Sequence, residues 1–285
     1  MHWQTTRFRI DLSRPLVMGI VNVTPDSFSD GGRHASTSAA LRHCERLVAD
    51  GADVLDIGGE STRPDASKPG VEEELARVMP VLQAALSLGL PVSVDTSEPE
   101  VMRRALGLGA DIVNDVRSLH RPGALDCVAA HAQAGVCLMH MKGEPGTMQA
   151  QAQYTDVVAE VGKFLRQRAL EVQGAGVAAD RIVIDPGIGF AKTAAHNLML
   201  LQRQAELTKL GWPLLVGWSR KGTLGQLTGR PVDERLAASV AAALAAVHHG
   251  AAIVRVHDVA ATVDALKVWQ AAVRTPTQQQ GARQP

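Results

Sequence analysis

The feature that most constrains this chain is a set of apolar runs that each stop on a polar residue. They recur as LVMGIVN ending at Asn22, DVLD at Asp56, VSVD at Asp95, DIVN at Asn114, CLMH at His140, IVID at Asp185 and IVRVH at His257, with LLVG ending at Gly217. Short runs rich in Val, Ile and Leu, bounded by glycine, proline and polar residues, are the pattern of strands buried on both faces. Helically spaced apolar residues lie between them, such as Leu41, Cys44, Leu47 and Val48, or Leu236, Val240, Leu244 and Val247. Eight such strands, each followed by a helix, predict a single α/β domain of the (β/α)8 TIM barrel type. A doubly wound open sheet is the competitor, but the count of eight and the lack of a GxGxxG after the first strand favour the barrel. A chain of 285 residues with 46% hydrophobic content supplies one core of that size. Before the barrel, Phe8, Ile10 and Leu12 alternate with Arg7, Arg9 and Asp11, which predicts an N-terminal strand or hairpin. The barrel domain is expected over 1–274, with a polar, disordered tail at 275–285.

In a barrel the C-terminal ends of the strands converge on one mouth. That mouth is expected to hold Asn22, Asp56, Asp95, Asn114, His140, Asp185, Gly217, Arg255 and His257. Closure pairs the eighth strand with the first, which suggests Asn22, Arg255 and His257 side by side as an anion site. After Asp185, the turn PGIGFAK projects Phe190 and Lys192. Long polar loops follow the first two strands, where idle connections are usually short. Asp56 and His140 are second-rank candidates, expected as internal hydrogen-bonding partners, with Asp56 holding Asn22 or the loop after the second strand. Local signals add a capping box from Ser97 to Glu100, a kink or early end at Pro80, and one helix around Leu198 to Leu210. His248 and His249 suit a helix end better than a ligand site.

Charge narrows the partners. The 29 basic and 29 acidic side chains cancel, which leaves no field to attract nucleic acid or an acidic membrane, so small molecules are expected. Three cysteines, Cys44, Cys127 and Cys137, stand in apolar segments with no CxxC spacing, as free thiols do in a reducing cytoplasm. No HxH, HExxH or CxxC cluster suggests zinc. The N-terminus has no apolar signal core, and no run approaches the roughly eighteen apolar residues of a membrane span. A soluble, cytoplasmic protein is expected.

The motifs resemble those of the dihydropteroate synthase family. GIVNVTPDSFSDGG (19–32), DIGGESTRP (56–64), VDT (94–96), VND (113–115), MHM (139–141), DPGIGF (185–190), SRKG (219–222) and RVHD (255–258) match in order and spacing from about residue 16 to 272. Trp218, Gly222 and Lys142 depart from the pattern. The resemblance implies folate biosynthesis by a transferase, itself a sulfonamide target, that joins p-aminobenzoate to 6-hydroxymethyl-7,8-dihydropterin diphosphate and releases pyrophosphate. It implies a pterin site at Asp95, Asn114, Met139, Asp185, Gly217 and Lys221. An Asp185 carboxylate can accept from the pterin amino group and ring N–H together. Pyrophosphate falls to Asn22, Arg255 and His257, with Mg2+ on Asn22, and p-aminobenzoate to Phe28, Thr62, Arg63, Pro64, Phe190 and Ser219. Asp95, Lys221, Arg255 and His257 carry the catalytic roles, and a homodimer through the last helices is expected. The alternatives are a corrinoid-dependent methyltransferase of the pterin-barrel type, or a pterin-binding protein without activity.

Overall fold

The computed structural model describes residues 1–23, 32–60 and 69–273, with the side chains of 32–36 left aside. Eight parallel strands form one sheet: β3 (Leu16–Asn22), β4 (Val54–Gly58), β5 (Val92–Asp95), β6 (Ile112–Asp115), β7 (Gly135–Met139), β8 (Ile182–Asp185), β9 (Leu215–Val216) and β10 (Ile253–Val256). Hydrogen bonding runs in the order β8-β7-β6-β5-β4-β3-β10-β9. A parallel bridge from Ile184 to Leu214, with the Ile184 N–H donating to the Pro213 carbonyl at 3.0 Å, closes the ring. This is the (β/α)8 barrel that the strand count predicts.

Among the described residues ten helices wrap it: α1 (Gly32–Ala49), α2 (Val71–Ala85), α3 (Pro99–Leu108), α4 (Ala124–Ala130), α5 (Val157–Gly174), α6 (Ala194–Gln202), α7 (Gln204–Thr208), α8 (Gly222–Thr228), α9 (Leu236–His248) and α10 (Val259–Val273). The outward residues of the strands, among them Val17, Leu55, Val94, Val113, Val136, Ile184 and Val254, merge with the inner faces of the helices into the larger core. Two helical expectations change. Pro80 neither ends nor shortens α2, which runs on to Ala85. The segment expected as one helix around 198–210 is two, because Arg203 leaves helical geometry with φ −105° and ψ 17°.

The inside of the barrel places the site. Side chains alternate across a strand with period two, so one parity faces the axis. At the N-terminal end this parity is apolar: Leu16, Met18, Val54, Ile112, Cys137, Val183, Leu215 and Ile253 pack into a separate inner cluster. The hairpin of β1 (His2–Gln4) and β2 (Arg9–Asp11) covers that end. Trp3, fully buried, joins the inner cluster, and its indole N–H donates to the Arg181 carbonyl at 2.9 Å. The hairpin therefore makes a floor. One pleat further along, the same parity carries Asp56, Asn114, Met139, Asp185, Gly217 and Arg255, and on β5 it carries Asp95 above Ser93. Strand pairing confirms the level, with Asp95 opposite Asn114 and Met139 opposite Asp185.

Candidate active site

Arg255 organises the polar ring. Its Nε donates to Asp56 Oδ2 and its Nη2 to Asp95 Oδ2, both at 2.6 Å. Asn114 Nδ2 donates to the same Asp56 oxygen at 3.1 Å, while Asp56 Oδ1 is buried without a hydrogen-bond partner among the described residues. Asp56 is thus the internal partner that the sequence suggested, although it holds Asn114 and Arg255 and not Asn22. Burial drives the Arg255 guanidinium toward its neutral form, but Asp56 and Asp95 outweigh this and raise its pKa. Asp95 is held above the ordinary carboxylate range by burial, against the pull of Arg255, with Asp56, Glu60 and Asp115 adding repulsion. One guanidinium thus bridges buried Asp56 and partly buried Asp95.

Asp185 ends β8 in the ring, 7% exposed, and its Oδ1 accepts the Gly187 N–H at 2.7 Å. Burial pushes its carboxyl up to about 6, opposed by the Gly187 hydrogen bond and the Lys221 charge. Lys221 stands just before α8 with Nζ 4.2 Å from the centre of the Phe190 ring. Burial and the Arg255 charge bring it down to about 8, with Asp185 and Asp95 pulling the other way. Met139 and Phe190 pack with Val116, Met148 and Ala191 as an apolar wall. At Gly217 an added Cβ meets nothing nearer than Arg255 Cβ at 4.0 Å, which leaves open space above the ring.

The expected grouping of Asn22, Arg255 and His257 changes in detail. In the register, Arg255 is level with Met18 and Val256 with Gly19, so Asn22 lies further out on β3, where it is exposed. The barrel stagger offsets strand ends that a sequence shows only as ends. Arg255 turns to Asp56 and Asp95, and His257 turns to Ser219. Ser219 Oγ accepts the His257 backbone N–H at 3.2 Å and lies 3.0 Å from Nδ1. A neutral imidazole donates from one ring nitrogen and accepts at the other, and the serine hydroxyl can pair with Nδ1 in either role. Burial, with the Arg255 and Arg220 charges, takes His257 down to about 3, so the imidazole is a neutral donor.

His140 has the opposite parity from Met139 and leaves the ring. It packs edge-on against Phe164 with centroids 4.9 Å apart, and burial with the Lys192 charge lowers it to about 2. Ser97 makes no capping box: it donates to Asp115, while Glu100 binds Arg103 and Arg104. Asp115, absent from the sequence candidates, accepts the N–H groups of Arg117 and Leu119 and so shapes the turn after Asn114. Arg117, also missed, spans the mouth from Glu60 to Glu144. An acid directly after a site residue was the available signal for Asp115; nothing in the spacing marked Arg117. Phe28, Thr62, Arg63 and Pro64 lie outside the described residues. Of the departures, Trp218 is buried in the outer core, Lys142 Nζ lies 3.6 Å from the centre of the Tyr154 ring, and Gly222 has open space where a Cβ would stand.

The chain is matched by proteins of known kind. The model of the pterin-binding enzyme family matches residues 18–257. The dihydropteroate synthase of Neisseria meningitidis serogroup B is 53% identical over 275 residues, covering 94% of this chain and 96% of its own. The chain belongs to the dihydropteroate synthase family. Among solved synthases, that of Xanthomonas albilineans with 4-aminobenzoic acid superposes with a TM-score of 0.91 at 51% identity, covering 97% of this chain and all of that one. The Burkholderia cenocepacia synthase complexed with 7,8-dihydropteroate has a TM-score of 0.88 at 49% identity, covering 98% of each chain. Identity of this order over nearly whole chains separates the synthases from the methyltransferase alternative.

Proposed function

We propose that this chain is a transferase of folate biosynthesis that condenses 6-hydroxymethyl-7,8-dihydropterin diphosphate with p-aminobenzoate, giving 7,8-dihydropteroate and pyrophosphate. The observation that carries this is the ring of Asp95, Asn114, Asp185, Lys221 and Arg255 one pleat above an apolar floor. Arg255, Asp56, Asp95 and Asn114 satisfy part of one another's demand, and a ligand offering donors to the carboxylates and acceptors to Lys221 offsets the remaining desolvation cost. A pterin edge offers an amino group beside a ring N–H, both donors, and Asp185 presents a carboxylate to them. Asn114 and Asp95 serve the adjoining ring positions, Lys221 the ring carbonyl and nitrogen, and Met139 with Gly217 shapes the slot. Phe190 and Ser219 stand toward the second substrate, with Phe28, Thr62, Arg63 and Pro64 completing its pocket.

In the reaction the methylene–oxygen bond breaks with its electron pair going to pyrophosphate, the aromatic amine forms the new C–N bond, and the amine proton leaves to solvent. An aromatic amine is neutral at pH 7, so the demand falls on the leaving charge and not on a general base. Asn22, Arg255 and the His257 imidazole receive that charge at the mouth, near the start of α10. Asp95 faces the electron-poor pterin left behind. Mg2+ fits an amide oxygen at an exposed strand end, since this ion keeps its waters and takes the rest of its shell from phosphates; bound there, it would neutralise pyrophosphate oxygens.

Three free cysteines and the absence of any membrane-crossing helix among the described residues support work in the cytoplasm. Exposed Leu227, Val232, Leu236 and Val268, on or beside α8, α9 and α10, support a homodimer through the last helices. The site assignment is tested by calorimetric titration of wild type and Asp185→Asn with 6-hydroxymethyl-7,8-dihydropterin and, separately, with pyrophosphate. Pterin affinity is expected to fall about 30- to 1000-fold, since an amide N–H would face a pterin donor, while pyrophosphate binds as before. Undiminished pterin affinity in the folded variant would remove Asp185 from the pocket.

A further inference from the structure

Among the described residues, four non-glycine positions at this mouth have left-handed backbone: Ser118 and Leu119 after β6, Ala191 after β8 and Arg220 after β9, with φ of 52°, 60°, 50° and 59°. Each such conformation costs on the order of 1 kcal/mol and persists only where the surroundings enforce it. In all three loops a cation grips backbone carbonyls. Arg168 binds those of Ser118 at 2.6 Å and Leu119 at 2.7 Å, and Arg235 binds that of Arg220 at 3.0 Å. In the loop after β8 the cation is Lys192, whose Nζ meets the carbonyl oxygens of Gly187 at 3.0 Å and Phe190 at 2.9 Å.

Lys192 does more than its counterparts, because it joins two loops. Its Nζ also lies 3.0 Å from His140 Nδ1 and 3.4 Å from the His140 carbonyl, just beyond β7. The side chain is 4% exposed, and nothing in the proposed reaction uses it. Burial brings the ammonium down to about 7, with Asp185 pulling it back up. From Lys192 a continuous path reaches the ring. The ammonium holds the Gly187 carbonyl, and the Gly187 N–H holds Asp185 Oδ1 at 2.7 Å. Through the Phe190 carbonyl it also fixes the residue whose ring lies against Lys221.

We propose that Lys192 is a positioning residue for the pterin half of the site, tying the loops after β7 and β8 together so that Asp185 is held where the pterin ring needs it and Phe190 is held against Lys221. This rests on the pterin assignment above. A buried ammonium is a costly way to fill space, and a methionine of similar length would pack there without the desolvation penalty. Its retention as a cation is explained by carbonyl geometry.

The test compares wild type, Lys192→Met and Lys192→Gln by thermal melting and by calorimetric titration with 6-hydroxymethyl-7,8-dihydropterin and with pyrophosphate. Misplacing a binding group by a fraction of an ångström weakens binding selectively, so Lys192→Met is expected to lose about 10- to 100-fold in pterin affinity. Lys192→Gln, which keeps N–H donors without the charge, is expected to fall between the two, and pyrophosphate affinity to stay within about twofold of wild type. Wild-type pterin affinity in a folded Lys192→Met overturns the proposal, as does a parallel loss of both ligands, which a general loss of structure would give. If Lys192→Met does not fold, Lys192→Gln carries the same comparison. A wild type that binds no pterin refutes the functional reading instead, so the two failures are distinct.

Discussion

A carboxyl pushed up to about 6 by burial, as Asp185 is, states a trade between stability and function. Its folded pKa lies above the ordinary 3.8, so its contribution to stability is present below about pH 4 and lost as pH rises through about 6. In the ligand-free protein at pH 8 the ionised group is therefore a burden. Asp185→Asn is expected to stabilise the unliganded protein by about 1–3 kcal/mol at pH 8 and to change little at pH 4, in melting experiments. Pterin affinity of the wild type has the opposite dependence, because the ligand needs the ionised form. It is expected to fall toward tenfold per unit as pH drops well below 6, and an affinity that stays unchanged there would contradict the assignment. Asp185 was legible in the sequence because a buried strand that ends on a carboxylate and then PG leaves that group few places to go. The grip of Arg255 on Asp56 and Asp95 was not, since strand ends show which groups share a mouth but not which of them pair.

The turn after β8 shows what an element adds to its residues. Gly187 has φ +67°, and a Cβ there would lie 2.0 Å from the His140 carbonyl oxygen. Gly109, which closes α3, has φ +103° but nothing within 4 Å of an added Cβ. Both sites resist a side chain through backbone strain, and only the first adds a collision with the loop after β7. Gly109→Ala is expected to cost about 1 kcal/mol, and Gly187→Ala well over 2 kcal/mol, with loss of pterin binding, as read from denaturant titrations and calorimetry. Equal costs would mean that the contact between the two loops yields freely. Strand parity was legible from the apolar runs, and it accounts for why His140, one residue past Met139, leaves the ring. Capping was less so. Ser97 and Glu100 have the right spacing for a capping box, yet α3 starts only at Pro99, and the Ser97 hydroxyl donates to buried Asp115 instead of accepting a helix-end N–H.

For the whole molecule, eight buried strands alternating with helices left few architectures open, and the count of eight favoured a closed barrel over an open doubly wound sheet. Stagger around the ring was not legible, because it is set by how neighbouring strands slide and not by any one of them. That is why Asn22 stands further out than Arg255. The exposed apolar side chains on and beside α8 to α10 predict a dimer of twice 30.2 kDa in sedimentation equilibrium at micromolar concentration, whereas a monomer there would leave that face unexplained. The central claim is the condensation itself. Purified protein mixed with 6-hydroxymethyl-7,8-dihydropterin diphosphate, p-aminobenzoate and Mg2+ is expected to form 7,8-dihydropteroate and pyrophosphate in equal amounts, with little sustained release when either the amine or the ion is withheld. No product from the complete mixture, or equally fast pyrophosphate release without the amine, would contradict the account.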